Sequence, residues 1–258
     1  MSPDRLGAHI PWARLDDFLP LVLDLELSPE IAFKGADLDS IDQARLERLA
    51  ARFAEDDIRP TIHAPFLDLN PGAIDVLVRR VTFQRLLQTL RIADQLKARL
   101  MVVHPGFDRW RYPGMEMQWL ENAVGFFREL LNSTADSECR LAIENIYEAS
   151  STNLVQLVDS IASPRLGHCF DVGHWNLFGQ EPMAAWLSAI SPRLFHLHLH
   201  DNRGRADEHL PVGDGKIDFK LLFSTISPLS PKPSITLEAH RPEDLSKSLR
   251  QVGTLCFS

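Results

Sequence analysis

The sequence predicts an α/β protein, a single (β/α)8 TIM barrel over residues 1–258. Three observations point there. Eight short apolar runs alternate with longer stretches in which apolar residues recur at three- and four-residue spacing, the pattern of a parallel sheet wrapped by helices. The length of 258 residues suits eight strand–helix repeats, since such barrels run to about 250 residues. Finally, run after run is closed by a histidine, aspartate or glutamate, and the C-terminal strand ends are where a barrel gathers its chemistry.

In chain order, the predicted strands are residues 6–10, 22–27, 60–63, 100–104, 140–144, 166–171, 196–200 and 234–238. The predicted helices are 41–55, 73–97, 116–132, 153–161, 182–190, 218–226 and 242–251. Asp39 or Ser40 can cap the first of these helices, Pro182 suits a first helical position, and Asp218 precedes the apolar run at Phe219. The Pro-rich segment 227–233 reads as a loop before the last strand rather than a domain linker. An open doubly wound sheet would carry a Gly-rich turn after the first strand, and Ile10-Pro11-Trp12 is not one.

Composition fits a soluble, cytoplasmic protein: 45% of residues are hydrophobic and 24% charged. Three cysteines, Cys139, Cys169 and Cys256, form no C-x-x-C pair, and an odd count suits a reducing compartment. Met1-Ser2-Pro3-Asp4-Arg5 lacks the pattern of a leader, and no run approaches the roughly 18 apolar residues needed to cross a bilayer. A net charge of -8 argues against a general polyanion-binding surface, although a local basic groove can sit on an acidic protein.

The strand ends carry the chemistry. His63, His104, Glu144 and Asp171 close the third to sixth runs, and His174 follows three residues after Asp171. His198 lies on the seventh run, Glu238 closes the eighth, and Asp207 and His209 occupy the loop after the seventh. Taken singly, each has a plain structural role open to it; Asp171, for instance, can cap the turn that follows. Taken together, four carboxylates at one mouth would repel one another unless cations neutralised them, and a mixed imidazole–carboxylate set suits a divalent metal such as Zn2+ or Mn2+. Period-two alternation puts His196, His198 and His200 on one face of their strand. We read His198 as a ligand, His200 as a support or substrate contact, and His196 as core. His9 lines the pocket, while His168 and Cys169 are structural. Trp110-Arg111-Tyr112 offers either a lid or ordinary packing. Serine-nucleophile elbows, phosphate loops and H-E-x-x-H helices are absent.

The stretches His63-Ala64-Pro65-Phe66, His104-Pro105-Gly106, Ile143-Glu144-Asn145, Phe170-Asp171-Val172-Gly173-His174, His198-Leu199-His200-Asp201-Asn202, the segment from Asp207 to Gly215, and Leu237-Glu238 together resemble the xylose isomerase-like barrel superfamily. That superfamily joins sugar and sugar-phosphate isomerases and epimerases to endonuclease IV, the AP endonuclease family 2 enzyme of DNA repair. The epimerase resemblance implies one Mn2+-type ion on Glu144, Asp171, His198 and Glu238. The two glutamates then pass a proton through an enediolate, with His174, His200 or Arg203 gripping oxygens. The endonuclease resemblance implies three Zn2+ ions: one on His63, His104 and Glu144, one on Glu144, Asp171, His198 and Glu238, and one on His174, Asp207 and His209.

The expected function is therefore a metal-dependent isomerase or epimerase of a small hydroxylated or phosphorylated substrate, with catalytic Glu144, Glu238 and His174 and substrate contacts at His9, His200 and Arg203. The alternative is a zinc-dependent hydrolase using a trinuclear site. DNA is disfavoured by the scarcity of long basic loops, with residues 28–35 after the second predicted strand carrying one cation.

Overall fold

A computed structural model describes residues 6–256. The leader reading of Met1 to Arg5 and the side chain of Cys256 lie outside the described residues. Eight parallel strands form a closed barrel in chain order: β1 (Leu6–Pro11), β2 (Ser28–Ala32), β3 (Thr61–His63), β4 (Leu100–Val103), β5 (Arg140–Glu144), β6 (Leu166–Asp171), β7 (Leu194–Leu199) and β8 (Ser234–Leu237). Pairing of Leu6 with Ile235 and Ala8 with Leu237 closes the ring.

The helices are α1 (Leu15–Asp24), α2 (Gly35–Asp39), α3 (Gln43–Glu55), α4 (Val76–Gln95), α5 (Glu116–Ser133), α6 (Thr152–Ile161), α7 (Val172–Phe178), α8 (Met183–Ile190), α9 (Phe219–Ile226) and α10 (Pro242–Cys256). Their apolar faces pack on the outside of the barrel; Trp119 of α5 and Trp186 of α8 are completely buried there. Among the described residues no helix is long and apolar enough to cross a membrane. Cys139 and Cys169 are free and buried.

Seven of the eight strands fall on predicted runs, and the second does not. Residues 22–27 are the last turn of α1 and the turn after it, where Leu15, Leu19 and Val22 form a buried stripe at helical spacing. Pro20 inside that helix disguised it. The true strand, Ser-Pro-Glu-Ile-Ala, hides because its inward position is a glutamate, Glu30, in register with His9 and Thr61 on its neighbours. The connection from β2 to α2 is therefore only Phe33-Lys34, shorter than the sequence suggested.

Capping differs in detail. Asp42, rather than Asp39 or Ser40, caps α3 by accepting from the Arg45 amide, and Pro182 is the cap of α8 instead of its first residue. Asp218 caps α9 as expected, accepting from the Leu221 amide.

The inward-facing side chains divide the barrel interior into an apolar part and a polar part. Leu100, Val102, Ala142 and Cys169 make a small apolar cluster separate from the main core. On the other side, Glu30, Thr61, His196 and Thr236 form a buried polar layer. His196 lies in this layer as predicted, its Nδ1 2.6 Å from Ser234 Oγ and its Nε2 3.0 Å from Thr236 Oγ1. His168 alternates outward, is buried, and has its pKa pushed down to about 3 by burial and then by Arg193.

Candidate metal centre at the barrel mouth

The nine predicted ligand side chains meet at the C-terminal end of the strands, and Glu144 is their hub. Its Oε2 lies 3.3 Å from His63 Nε2 and 3.1 Å from His104 Nε2, and its Oε1 lies 3.1 Å from His198 Nδ1 and 3.4 Å from His174 Nδ1. Four imidazoles, brought by β3, the β4 end, β7 and α7, thus face the two oxygens of one buried carboxylate. His198 Nδ1 also lies 3.4 Å from Glu238 and 3.8 Å from Asp171. Asp207 Oδ2 sits 3.5 Å from His174 Nε2 and 3.1 Å from His209 Nε2. The His63–His104–Glu144 and Glu144–Asp171–His198 groups each place their donor atoms close enough to share one ion.

Asp171 fills the capping role and also faces the imidazole cluster. Its Oδ1 caps α7, accepting from the His174 amide at 2.7 Å, and its carboxylate faces His200 Nε2 at 3.2 Å. Asn145, unassigned in the sequence, pins the strand ends: its Nδ2 donates to the Asp171 carbonyl and its Oδ1 accepts from the Asp171 amide. The signal was a polar residue directly after Glu144 at a strand end.

The chemistry of the donor set fits a cation. His63 Nδ1 donates to the Ala64 carbonyl at 2.9 Å, and His174 Nδ1 donates to the Asn145 carbonyl at 3.1 Å. In a neutral imidazole the other nitrogen then carries a lone pair. For His63 that lone pair faces Glu144, and for His174 it faces Asp207. Lone pair against carboxylate is repulsive unless a proton or metal ion lies between. His200 Nδ1 and His209 Nδ1 are buried without hydrogen-bond partners, and His209 is held at φ 48°, an uncommon conformation for a non-glycine residue.

The electrostatics agree. Burial acts to raise the pKa of Glu144, but His198 and His104 outweigh it and hold the group well below the usual carboxylate range. Glu238 falls to about 2, burial again being outweighed by His198, His209 and His9. His198 moves the other way: burial is overcome by Cys169, Glu238, Glu30 and Glu144, leaving it well above the ordinary imidazole value. Glu144 and Glu238 held low, with His63, His174, His198 and His200 held high, describe a site short of positive charge, although burial pulls His104 down.

The site opens into a cavity of about 1080 Å3 lined by His9, His63, His104, Glu144, His174, Asp207, His209 and Glu238 at its floor and by Phe18, Phe33, Phe66 and Phe107 on its walls. His9 therefore lines the pocket as predicted. His200 does not reach the surface; it is fully buried, and its ring stacks on His209 at 3.9 Å. Arg203 points elsewhere: exposed and outside the cavity lining, it binds Glu208 at 2.6 Å. Tyr112 is packed, its hydroxyl accepting from Asn70 Nδ2, while Trp110 is exposed and meets Tyr147 and Phe178 edge-on. Gly173 is required by the close approach of His200, whose ring a Cβ would overlap. Gly173→Ala is expected to destabilise the fold by about 1–3 kcal/mol and to displace His200 from Asp171, measurable by urea unfolding and by histidine NMR signals.

Fold and side chains define a (β/α)8 barrel with an imidazole–carboxylate cluster at its C-terminal mouth. The chain belongs to the family described as xylose isomerase-like TIM barrel, which matches residues 26–253. An uncharacterised protein of Methanocaldococcus jannaschii is 29% identical over 199 residues, covering 74% of this chain and 68% of its own. The protein named "Probable endonuclease 4" of Mycoplasmopsis pulmonis is 23% identical over 181 residues, 62% of each chain. Among solved structures, a protein of Thermus thermophilus soaked with ZnCl2 superposes with TM-score 0.85 at 26% identity over 98% of both chains. A D-tagatose 3-epimerase-like protein gives TM-score 0.85 at 23% identity, over 97% of this chain and 96% of that one, a likeness of fold.

Proposed function

We propose that the chain is a divalent-metal-dependent isomerase or epimerase acting on a small hydroxylated substrate. The observation that carries this reading is the convergence of His63, His104, His174 and His198 on Glu144 at the floor of the cavity. A divalent ion held by Glu144, Asp171, His198 and Glu238 would supply Lewis acidity at adjacent substrate oxygens and so acidify the neighbouring C–H bond. Glu144 and Glu238 flank His198 Nδ1 from different strands, so one carboxylate can take a proton from a substrate carbon while the other serves a different face. Both are held ionised near neutral pH by the shifts described above, as a proton acceptor must be. His174 and His9 border the same space and can donate to substrate oxygens.

Cavity size suits a small molecule, about 1080 Å3 being just above the roughly 300–1,000 Å3 typical of such sites. So does the rim. Of the four cations that line the cavity, Arg14, Arg111 and Arg241 each face a nearby carboxylate, Asp17 at 2.8 Å, Asp108 at 3.9 Å and Asp244 at 2.8 Å, which leaves Lys34. Cations balanced in this way present little net charge to a duplex.

A second reading has its own observation. Asp207 Oδ2 faces both His174 and His209, a pairing that supports the third ligand group of a zinc-dependent phosphodiester hydrolase. Incubating the metal-loaded protein with free ketohexoses in D2O separates the two. Deuterium incorporation next to the carbonyl supports isomerisation. Cleavage of an abasic-site duplex without any exchange would replace it with hydrolysis.

A further inference from the structure

Glu30 lies on β2 one layer beneath the mouth, 0% exposed. A carboxylate inside a barrel costs several kcal/mol unless it is well paired, and a neutral side chain of similar size would fill this space without that cost. Its surroundings are specific. Oε2 accepts from Thr61 Oγ1 and Thr236 Oγ1, both at 3.0 Å, and lies 3.1 Å from His196 Nε2. These contacts come from β3, β8 and β7 and fix the carboxylate plane. Oε1 is thereby aimed at His198 Nε2, 3.0 Å away. The approach falls short of hydrogen-bond alignment in this geometry, and neither atom has another hydrogen-bond partner.

On the far side of the same ring, Nδ1 faces Glu144, Asp171 and Glu238. A neutral imidazole has one N–H and one lone pair, and which nitrogen binds a cation is set by what the other nitrogen meets. We propose that Glu30 is a positioning residue for His198: its carboxylate takes the Nε2–H and presents the Nδ1 lone pair to the three carboxylates at the mouth. This role rests on reading the mouth as a metal centre. It differs from the structural task of joining strands, which the contacts on Oε2 already perform without His198.

The test is Glu30→Gln, with Zn2+ as the probe. An amide nitrogen turned toward His198 offers a donor where an acceptor is needed and favours the tautomer with Nδ1 protonated. Zinc affinity, measured by chelator competition, should weaken by about 10–100-fold, and the ring nitrogen signals of His198 in 15N NMR should lose the Nε2–H pattern of the zinc-loaded wild type. Equal affinity and an unchanged ring spectrum in Glu30→Gln would overturn the positioning role while leaving the metal reading intact. Failure of the wild type to bind zinc would overturn both. Should Glu30→Gln not fold, Thr61→Val removes one anchor of Oε2 without touching His198. A smaller loss of affinity, about 2–10-fold, is expected there, and no loss would count against the proposal.

Discussion

Glu144→Gln is expected to lower kcat/KM by about 10⁴-fold, leaving almost no turnover, while the barrel stays folded. Glu144 is completely buried and each of its oxygens faces two imidazole nitrogens. A glutamine keeps the volume but removes the charge that holds these rings together, and its amide nitrogen turns a donor toward two of them. The same change removes a ligand shared by two candidate ion groups. Steady-state kinetics alongside far-UV circular dichroism check this. Retained turnover in a folded variant would mean that the site has been misplaced.

Asp201→Ala should be the most damaging substitution to the architecture, costing about 3–5 kcal/mol. Asp201 is 0% exposed, and its carboxylate accepts from five backbone amides: those of Asn202, Gly213, Gly215, Lys216 and Ile217, at 2.7 to 3.2 Å. Its main chain also bridges Leu210, immediately after His209. Alanine would strand those amides and release the loop that carries Asp207 and His209. Gly215 belongs to the same device, since a Cβ there would overlap the Asp201 carboxylate. The fall in thermal midpoint should be about 10 °C, at roughly 2–4 °C per kcal/mol for a chain of about this size. Differential scanning calorimetry reads that fall, and weakened metal uptake should accompany it through the loss of Asp207 and His209.

The sequence was most legible where a strand is an apolar run ended by a polar side chain. β5 and β6 fall on their predicted bounds, residues 140–144 and 166–171, because Glu144 and Asp171 interrupt otherwise apolar runs at the mouth. His63, His104, Glu144, Asp171, His198 and Glu238 were picked out by the same rule, which depends only on local alternation and the direction of a parallel barrel, whereas His174 on α7 and Asp207 and His209 in the loop after β7 were not. β2 was illegible for the opposite reason. Glu30 is stabilised by Thr61, Thr236, His196 and His198, which lie 31 to 206 residues away in sequence or on other strands, so nothing nearby marks it as an inward residue. α7 was missed because it is a short helix made by Asp171 turning back on the His174 amide, within a stretch whose residue types had already been read as ligands. Arg203, expected at the substrate, is held instead by Glu208, five residues on, and that competition depends on how the loop closes. Asp201 was visible as part of a motif, but its hold on Gly213 and Gly215 depends on the loop folding back.

We propose that the buried carboxylates and imidazoles at the barrel mouth are a metal centre. Elemental analysis of the protein purified without added metal tests it most directly. At least about one tightly held divalent ion per chain, of the zinc or manganese type, is expected, as is its loss in Glu144→Gln. A protein that emerges metal-free, and takes up neither Zn2+ nor Mn2+ on dialysis, would contradict it.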